Sequence, residues 1–215
     1  MHSFPQELIN GYATFIRGPY AEAEGKYKKL AREGQSPKVM IIACCDSRAA
    51  PETIFDAGPG ELFVLRNIAN LVPPFEPGAG QHGTSAGIEF AVNALGISDL
   101  VVLGHGRCGG IRWALGPGEP LAQGDFIGKW MSMLAPVTVQ VASYSFLTAA
   151  ERETALERLS VRNSIRNLRT FPYIQSKEAE GKLTLHGAWF DVSTGELWVM
   201  DGDTGDFSRP ELPPV

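Results

Sequence analysis

Cysteine is scarce in this chain: three among 215 residues, two of them adjacent, Cys44 and Cys45. An odd, clustered set is not a disulfide framework, and in a reducing compartment it points to metal binding or catalysis. Long apolar runs are missing as well. No stretch approaches the ~20 residues a membrane-spanning helix needs. Met1 to Asn10 lacks the basic start and apolar core of a secretory signal, so a cytoplasmic location is expected. There is no excess of positive charge: the formal net charge is −5, which argues against a nucleic-acid partner. The basic clusters Lys26-Lys28-Lys29 and Arg162-Arg166-Arg169 sit beside acidic residues in helix-like segments and read as solvated faces. Repeats, low-complexity tracts and Ser/Gly linkers are absent too. What is there, 44% hydrophobic and 20% charged residues, suits one compact domain with a real core.

The patterning predicts an α/β fold with a mainly parallel central sheet flanked by helices. Residues 1–35 form an expected helical arm: Phe4, Leu8, Tyr12 and Phe15 recur at helical spacing, Gly18-Pro19 breaks the run, and a second helix covers Tyr20 to Arg32. With little core nearby, such an arm packs elsewhere on the protein or on another subunit. Residues 36–208 form the expected catalytic domain. Within it, Lys38–Ala43, Glu61–Arg66 and Asp99–Leu103 read as buried strands. His82 to Leu95 reads as a helix capped by Thr84 or Ser85, and Gly109 to Leu115 starts another. Asp125 to Leu134 is expected to be helical, and Thr148 to Glu151 is a capping box opening a long helix. Leu183–Phe190 and Glu196–Met200 read as a strand pair joined through Ser193-Thr194-Gly195. The proline-rich tail, 209–215, is expected to be loose.

Two chemically loaded segments fall at predicted strand ends, where open parallel sheets gather ligands. Cys44-Cys45-Asp46-Ser47-Arg48 follows the first strand, and Gly104-His105-Gly106-Arg107-Cys108-Gly109 follows the third. His105 and Cys108, three apart at a turn, can face one ion, with Cys44 supplied from the neighbouring strand end. Thiolate with imidazole selects zinc over Mg²⁺ or Ca²⁺. Two Cys and one His leave the fourth tetrahedral position open, the catalytic pattern, in which bound water loses a proton near neutral pH. Cys45 faces the opposite side of extended chain and reads as packing. Gly104, Gly106 and Gly109 also fit a nucleotide-binding G-x-G-x-x-G turn, but no acidic ribose partner is clearly placed; the glycines read as tight turning around a metal. The H-x-E and P-C-x-x-C pattern of zinc deaminases is absent.

Asp46 and Arg48 stand two and four residues past Cys44. A free carboxylate would compete for the open position; Arg48 can hold it in a bidentate pair. Paired in this way, Asp46 stays ionised and can orient a hydroxide rather than act as the bulk proton acceptor. A salt bridge that merely closes the loop is the other reading of the pair.

These residues resemble the β-class carbonic anhydrases from about Gln6 to Met200. The resemblance rests on Cys44-x-Asp46-Ser47-Arg48, then Arg66-Asn67-Ile68-Ala69-Asn70-Leu71-Val72, then Gly83 to Val92, then His105-x-x-Cys108. It implies zinc-dependent reversible hydration of carbon dioxide to bicarbonate, with one zinc on Cys44, His105 and Cys108 and with Asp46–Arg48 as a gate dyad. It implies that Gln35 hydrogen-bonds substrate, that Phe63, Ile68 and Phe90 line an apolar pocket, and that backbone N–H groups near Gly109 steady the oxyanion. Ile68 and Phe90 stand where the plant-like branch often has Val and Tyr. The other branch carries a tryptophan near Gln35 and an inhibitory bicarbonate site; none stands here, so the chain is similar to the branch whose dyad stays closed. His82 reads as a surface histidine at a helix start rather than a proton shuttle. The resemblance also implies a homodimer or larger homo-oligomer, with the arm laid across the partner and the pocket lined from both subunits. Two other functions share these residues: a zinc hydrolase acting on carbonyl sulfide or carbon disulfide, and a non-catalytic zinc module with Asp46 as fourth ligand.

Overall fold

The computed structural model describes residues 4–78 and 80–214. Met1–Ser3 of the expected arm and Val215 of the expected tail lie outside the described residues. Six strands form one sheet: β1 (Val39–Cys44), β2 (Leu62–Asn67), β3 (Asp99–His105), β4 (Thr184–Phe190), β5 (Leu197–Met200) and β6 (Phe207–Ser208), in the order β2-β1-β3-β4-β5-β6. The first four are parallel, and β5 and β6 join antiparallel at one edge. β1 reads Val-Met-Ile-Ile-Ala-Cys without a polar position because it is covered on both faces. Met40 and Ile42 enter one core with Ile88, Leu100 and Val102, while Ile41 and Ala43 enter another with Leu103 and Ala188.

The helices are α1 (Gln6–Arg17), α2 (Pro19–Glu33), α3 (Pro51–Ile54), α4 (Gly83–Glu89), α5 (Gly109–Leu115), α6 (Phe126–Met131), α7 (Ala135–Ala142), α8 (Ala149–Leu168) and α9 (Pro172–Ala179). α8 positions the site. Its capping box is complete: Thr148 Oγ1 accepts from the Glu151 N–H at 3.3 Å, and Glu151 Oε2 accepts from the Thr148 N–H at 2.8 Å. Its buried stripe runs through Glu157, Val161, Ser164 and Leu168. Val161 sits so close to β3 and β4 that a Cβ on Gly104 or Gly187 would lie 2.8 or 2.9 Å from its methyls.

Several elements differ from the sequence-based expectation. The helix after His82 changes pitch: α4 ends at Glu89, and Phe90–Leu95 continues as a wider π turn closed by Gly96 at φ 65°. Neither Thr84 nor Ser85 caps it; the Thr84 hydroxyl accepts instead from the Asn67 amide at 3.3 Å. The expected helix from Asp125 to Leu134 is present, as α6 tightened into a 3₁₀ turn over Ser132–Leu134, and it is followed by α7, which was not foreseen. α9 and β6 were not foreseen either; α9 opens on Pro172, whose fixed φ suits a first turn. Arg209, placed in the tail by sequence, is tied down: it pairs with Glu196 at 2.6 Å and lies over the Trp198 ring.

The arm is a helix pair with Phe15, Tyr20 and Tyr27 clustered between its helices. α1 buries none of its residues, and Phe4, Leu8, Ile9 and Tyr12 stand exposed. In α2 the basic cluster is paired, Lys26 with Glu61, Lys28 with Glu24 and Lys29 with Glu33. No helix of the described residues is long and apolar enough to cross a membrane.

Candidate metal centre

The chain passes from β1 out to β2 on one side and returns past β1 to β3 on the other. That reversal opens a crevice at the carboxyl ends of β1 and β3, the usual place for a ligand in an open α/β sheet. Cys44 is the last residue of β1 and His105 the last of β3. Ala43 pairs with Leu103, so the two ends are nearly level. Cys108 caps the start of α5 just beyond.

The sulfurs of Cys44 and Cys108 are 4.0 Å apart. With a nitrogen of His105 they form a group whose ligand atoms lie within 4.8 Å of one another, all three residues buried. His105 Nδ1 is 2.9 Å from the Gly106 carbonyl. As donor there, Nδ1 leaves Nε2 with its lone pair, and Nε2 is buried without a hydrogen-bond partner. The two sulfurs share a proton. The hydrogen bond from Cys108 pulls the Cys44 thiol down against the cost of burial, and Cys108 is pushed up by the same bond. A divalent cation resolves that conflict by taking both sulfurs as thiolates, and sulfur with imidazole fits Zn²⁺. An orphaned imidazole nitrogen facing two convergent sulfurs is the donor set of a three-residue zinc site.

Asp46 sits beside this group, its Oδ2 3.9 Å from His105 Nε2. Arg48 engages both carboxylate oxygens, Nε to Oδ1 at 2.9 Å and Nη2 to Oδ2 at 2.7 Å, and its own N–H also reaches Oδ1 at 3.0 Å. These bonds hold the Asp46 carboxyl far below the usual range. Arg48 Nη2 also donates to the Arg107 carbonyl at 3.1 Å, tying the two loops together.

The carbonic anhydrase family profile matches residues 39–197. A carbonic anhydrase of Pseudomonas aeruginosa is 36% identical over 211 residues, 98% of this chain and 94% of that protein. The chain belongs to the β-carbonic anhydrases. Among solved structures, the β-carbonic anhydrase CcaA superposes with a TM-score of 0.89 at 31% identity, covering 96% of this chain and 92% of that one. One of two tetrameric β-carbonic anhydrases from Sordaria macrospora superposes with a TM-score of 0.78 at 28% identity, covering 95% and 98%.

Seen against that membership, the expected site residues divide into two groups. Cys44, His105, Cys108, Asp46, Arg48 and Gly109 gather at one crevice, Gly109 opening α5 directly after Cys108. Ile68 joins them: a Cβ on Gly110 would lie 2.9 Å from its methyl, and the N–H of the next residue, Ala69, points at the Cys44 sulfur at 3.4 Å. Gln35, Phe63 and Phe90 lie apart. Phe63 pairs with Met40, four residues back along β1 from Cys44, about 13 Å at ~3.3 Å per residue. Its ring is 5.9 Å from that of Phe90, which stands exposed, and exposed Gln35 precedes the amino end of β1.

Two sequence readings need correction. Cys45 is not packed: its side chain is exposed and lines a cavity of about 780 Å³ with Ile68, His82, Phe126 and Trp130. Cys44 turns inward, so its neighbour turns outward and stays exposed among the described residues. The glycines around His105 do not serve sharp turning. Gly104, Gly106 and Gly109 all avoid positive φ, and the left-handed residue is Arg107 at φ 60°. Gly104 and Gly106 are small because Val161 and Trp189 press against them, 2.8 and 3.2 Å from where a Cβ would sit.

Sequence reasoning missed two further residues at the site. Arg66 donates to the Cys44 carbonyl at 2.8 Å and the Asp46 carbonyl at 2.6 Å, fixing that loop. A lone cation ending an apolar strand was its signal. Glu157 accepts from the Cys108 N–H at 3.1 Å. Its signal was a carboxylate spaced four and eleven residues before Val161 and Leu168 on one helix face.

Proposed function

We propose that this chain catalyses the reversible hydration of carbon dioxide to bicarbonate and a proton, using one zinc ion held by Cys44, His105 and Cys108. The carrying observation is the convergence of two buried sulfurs and an unpartnered imidazole nitrogen beside a carboxylate that Arg48 keeps from competing. Zinc in such a site acts as a Lewis acid that brings the pKa of a water towards neutrality. Asp46, anionic and acceptor-only, would accept a hydrogen bond from the attacking hydroxide and so aim its lone pair towards the carbon of CO₂. Arg48 prevents Asp46 from becoming a fourth ligand, which favours an enzyme over a zinc module of purely structural purpose. Ile68 contributes an apolar wall for CO₂, and backbone N–H groups near Gly109 are assigned the steadying of the developing oxyanion.

A homodimer is the functional unit in this reading. The unburied apolar face of α1 and the separation of Gln35, Phe63 and Phe90 from the metal crevice support it, and the Sordaria macrospora relatives are described as tetrameric. The second copy then supplies Gln35, Phe63 and Phe90 to complete the pocket around the first copy's zinc.

Metal analysis combined with stopped-flow CO₂ hydration tests the proposal. About one zinc per chain and a hydration rate abolished by chelation are expected. Stoichiometric zinc with no hydration, or hydrolysis of carbonyl sulfide or carbon disulfide in preference to CO₂ hydration, would overturn it.

A further inference from the structure

Beneath the metal loop lies a carboxylate that the reaction above does not use. Glu157 is 1% exposed and sits on the buried stripe of α8. Its Oε1 accepts the amide N–H of Cys108 at 3.1 Å, and its Oε2 accepts the indole N–H of Trp189 at 3.1 Å. Both donors are themselves buried. Among the described residues no cation pairs with it. Arg158, the next residue, instead places its guanidinium 4.6 Å from the ring centres of both Trp189 and Trp198.

A carboxylate buried without a cation is costly, and here its two oxygens are taken by the N–H groups of Cys108 and Trp189. What the place requires is two acceptors and no donor, because two N–H groups converge on it from different elements. An ionised carboxylate meets that need. A carboxamide would satisfy one N–H and turn its own NH₂ on the other. The two donors matter to the metal loop in different ways. The Cys108 amide belongs to a ligand and follows the left-handed Arg107. Trp189 presses on Gly106, between the ligands, where a Cβ would lie 3.2 Å from the ring.

We propose that Glu157 is a positioning residue of the metal centre, holding the Cys108 amide directly and the Gly106 turn through Trp189. Cys108 and His105 are thereby aimed at a common point before the ion arrives. The inference rests on the zinc reading above, but it is tested by the ratio of variant to parent and so fails separately from it.

The experiment compares the zinc-loaded parent with Glu157→Gln, Trp189→Phe and the double variant. Zinc affinity is read by competition with a chelator, the sulfur-to-metal absorption is read after substitution with Co²⁺, and thermal unfolding is followed at saturating zinc. Glu157→Gln is expected to weaken zinc binding by about 10–100-fold, the range for partners that orient metal ligands, and to shift the Co²⁺ band. Trp189→Phe is expected to weaken binding less. The double variant should recover part of the Glu157→Gln loss, because the carboxamide then serves a single N–H. Parent-like zinc affinity in Glu157→Gln would overturn the proposal, as would a double variant whose losses simply multiply. If Glu157→Gln does not fold, Trp189→Phe decides alone: unchanged zinc affinity and an unshifted Co²⁺ band in that variant refute the assignment. A parent that takes up no zinc refutes the zinc reading and this inference with it.

Discussion

The carboxylate of Asp46 meets the guanidinium of Arg48 edge to edge, with Oδ1 2.9 Å from Nε and Oδ2 2.7 Å from Nη2. Both oxygens are occupied by Arg48, while Oδ2 still lies 3.9 Å from His105 Nε2. Asp46→Asn keeps the size but introduces a donor and removes the charge. It is expected to retain zinc and lose about 10²-fold or more in CO₂ hydration, the scale for a misoriented attacking group. Stopped-flow rates on variant with verified metal content check this; a parent-like rate would refute the orienting role.

Loss of any ligand should remove metal and activity together. Cys44→Ser, His105→Ala and Cys108→Ser each leave two donors in a buried pocket, and a hard hydroxyl is a poor replacement for thiolate. Zinc content after dialysis and the hydration rate are the paired measurements. Full zinc with full activity in any of the three would contradict the assignment.

Gly104 is small because Val161 leaves it no space. Gly104→Ala should lower stability by about 1–3 kcal/mol, the cost of overpacking a filled core. Adding Val161→Ala should make the pair less unstable than the sum of the two single changes. Thermal unfolding of the four proteins gives the coupling directly; strict additivity would place the strain elsewhere.

Charge on the open face of α1 should break the assembly. Leu8→Glu with Tyr12→Glu puts two carboxylates on a face that buries nothing within its own chain, so the single chain loses no core. Light scattering should show a shift towards monomer, and hydration should fall with it under the proposal that a second copy supplies Gln35, Phe63 and Phe90. A monomer of parent activity would contradict the shared pocket.

Asp99 links pH to stability at the amino edge of the sheet. The Ser98 hydroxyl at 2.7 Å, then His186 at 2.8 Å, hold its carboxyl below the usual value. A depressed carboxyl contributes stability that is complete above the unfolded value of ~3.9 and is lost as pH falls through the folded value. The pair is more than a third exposed, so the effect is at most about 1 kcal/mol. Asp99→Asn should therefore melt slightly below the parent at pH 6, and the gap should narrow as the pH falls below ~3.9. A gap that widens with acid would reverse the sign of the contribution.

Much of the centre was legible before any coordinates. Cys44, His105 and Cys108 stand at strand ends that apolar runs mark plainly, and Asp46 and Arg48 are close enough in sequence for their pairing to be local. Less legible were α7 and α9, short helices whose apolar positions answer to neighbours distant in the chain. Cys45 was misplaced because alternation says which way a side chain turns but not whether anything waits there. The glycines at 104 and 106 were misread for a similar reason: sequence shows a missing side chain, not the Val161 or Trp189 that requires it.

The amino-acid order alone settled which donor types this protein carries, their spacing along the chain and the strand ends they follow, since these depend on local pattern and chemistry. Tertiary structure decided the rest: that the reversal between β1 and β3 levels Cys44 with His105, that Glu157 comes up under Cys108 from a helix 49 residues later, and that Phe63 and Phe90 lie away from the crevice. Those relations are set by strand order and by which helix covers which face, and such long-range contacts leave no periodicity in the chain to read.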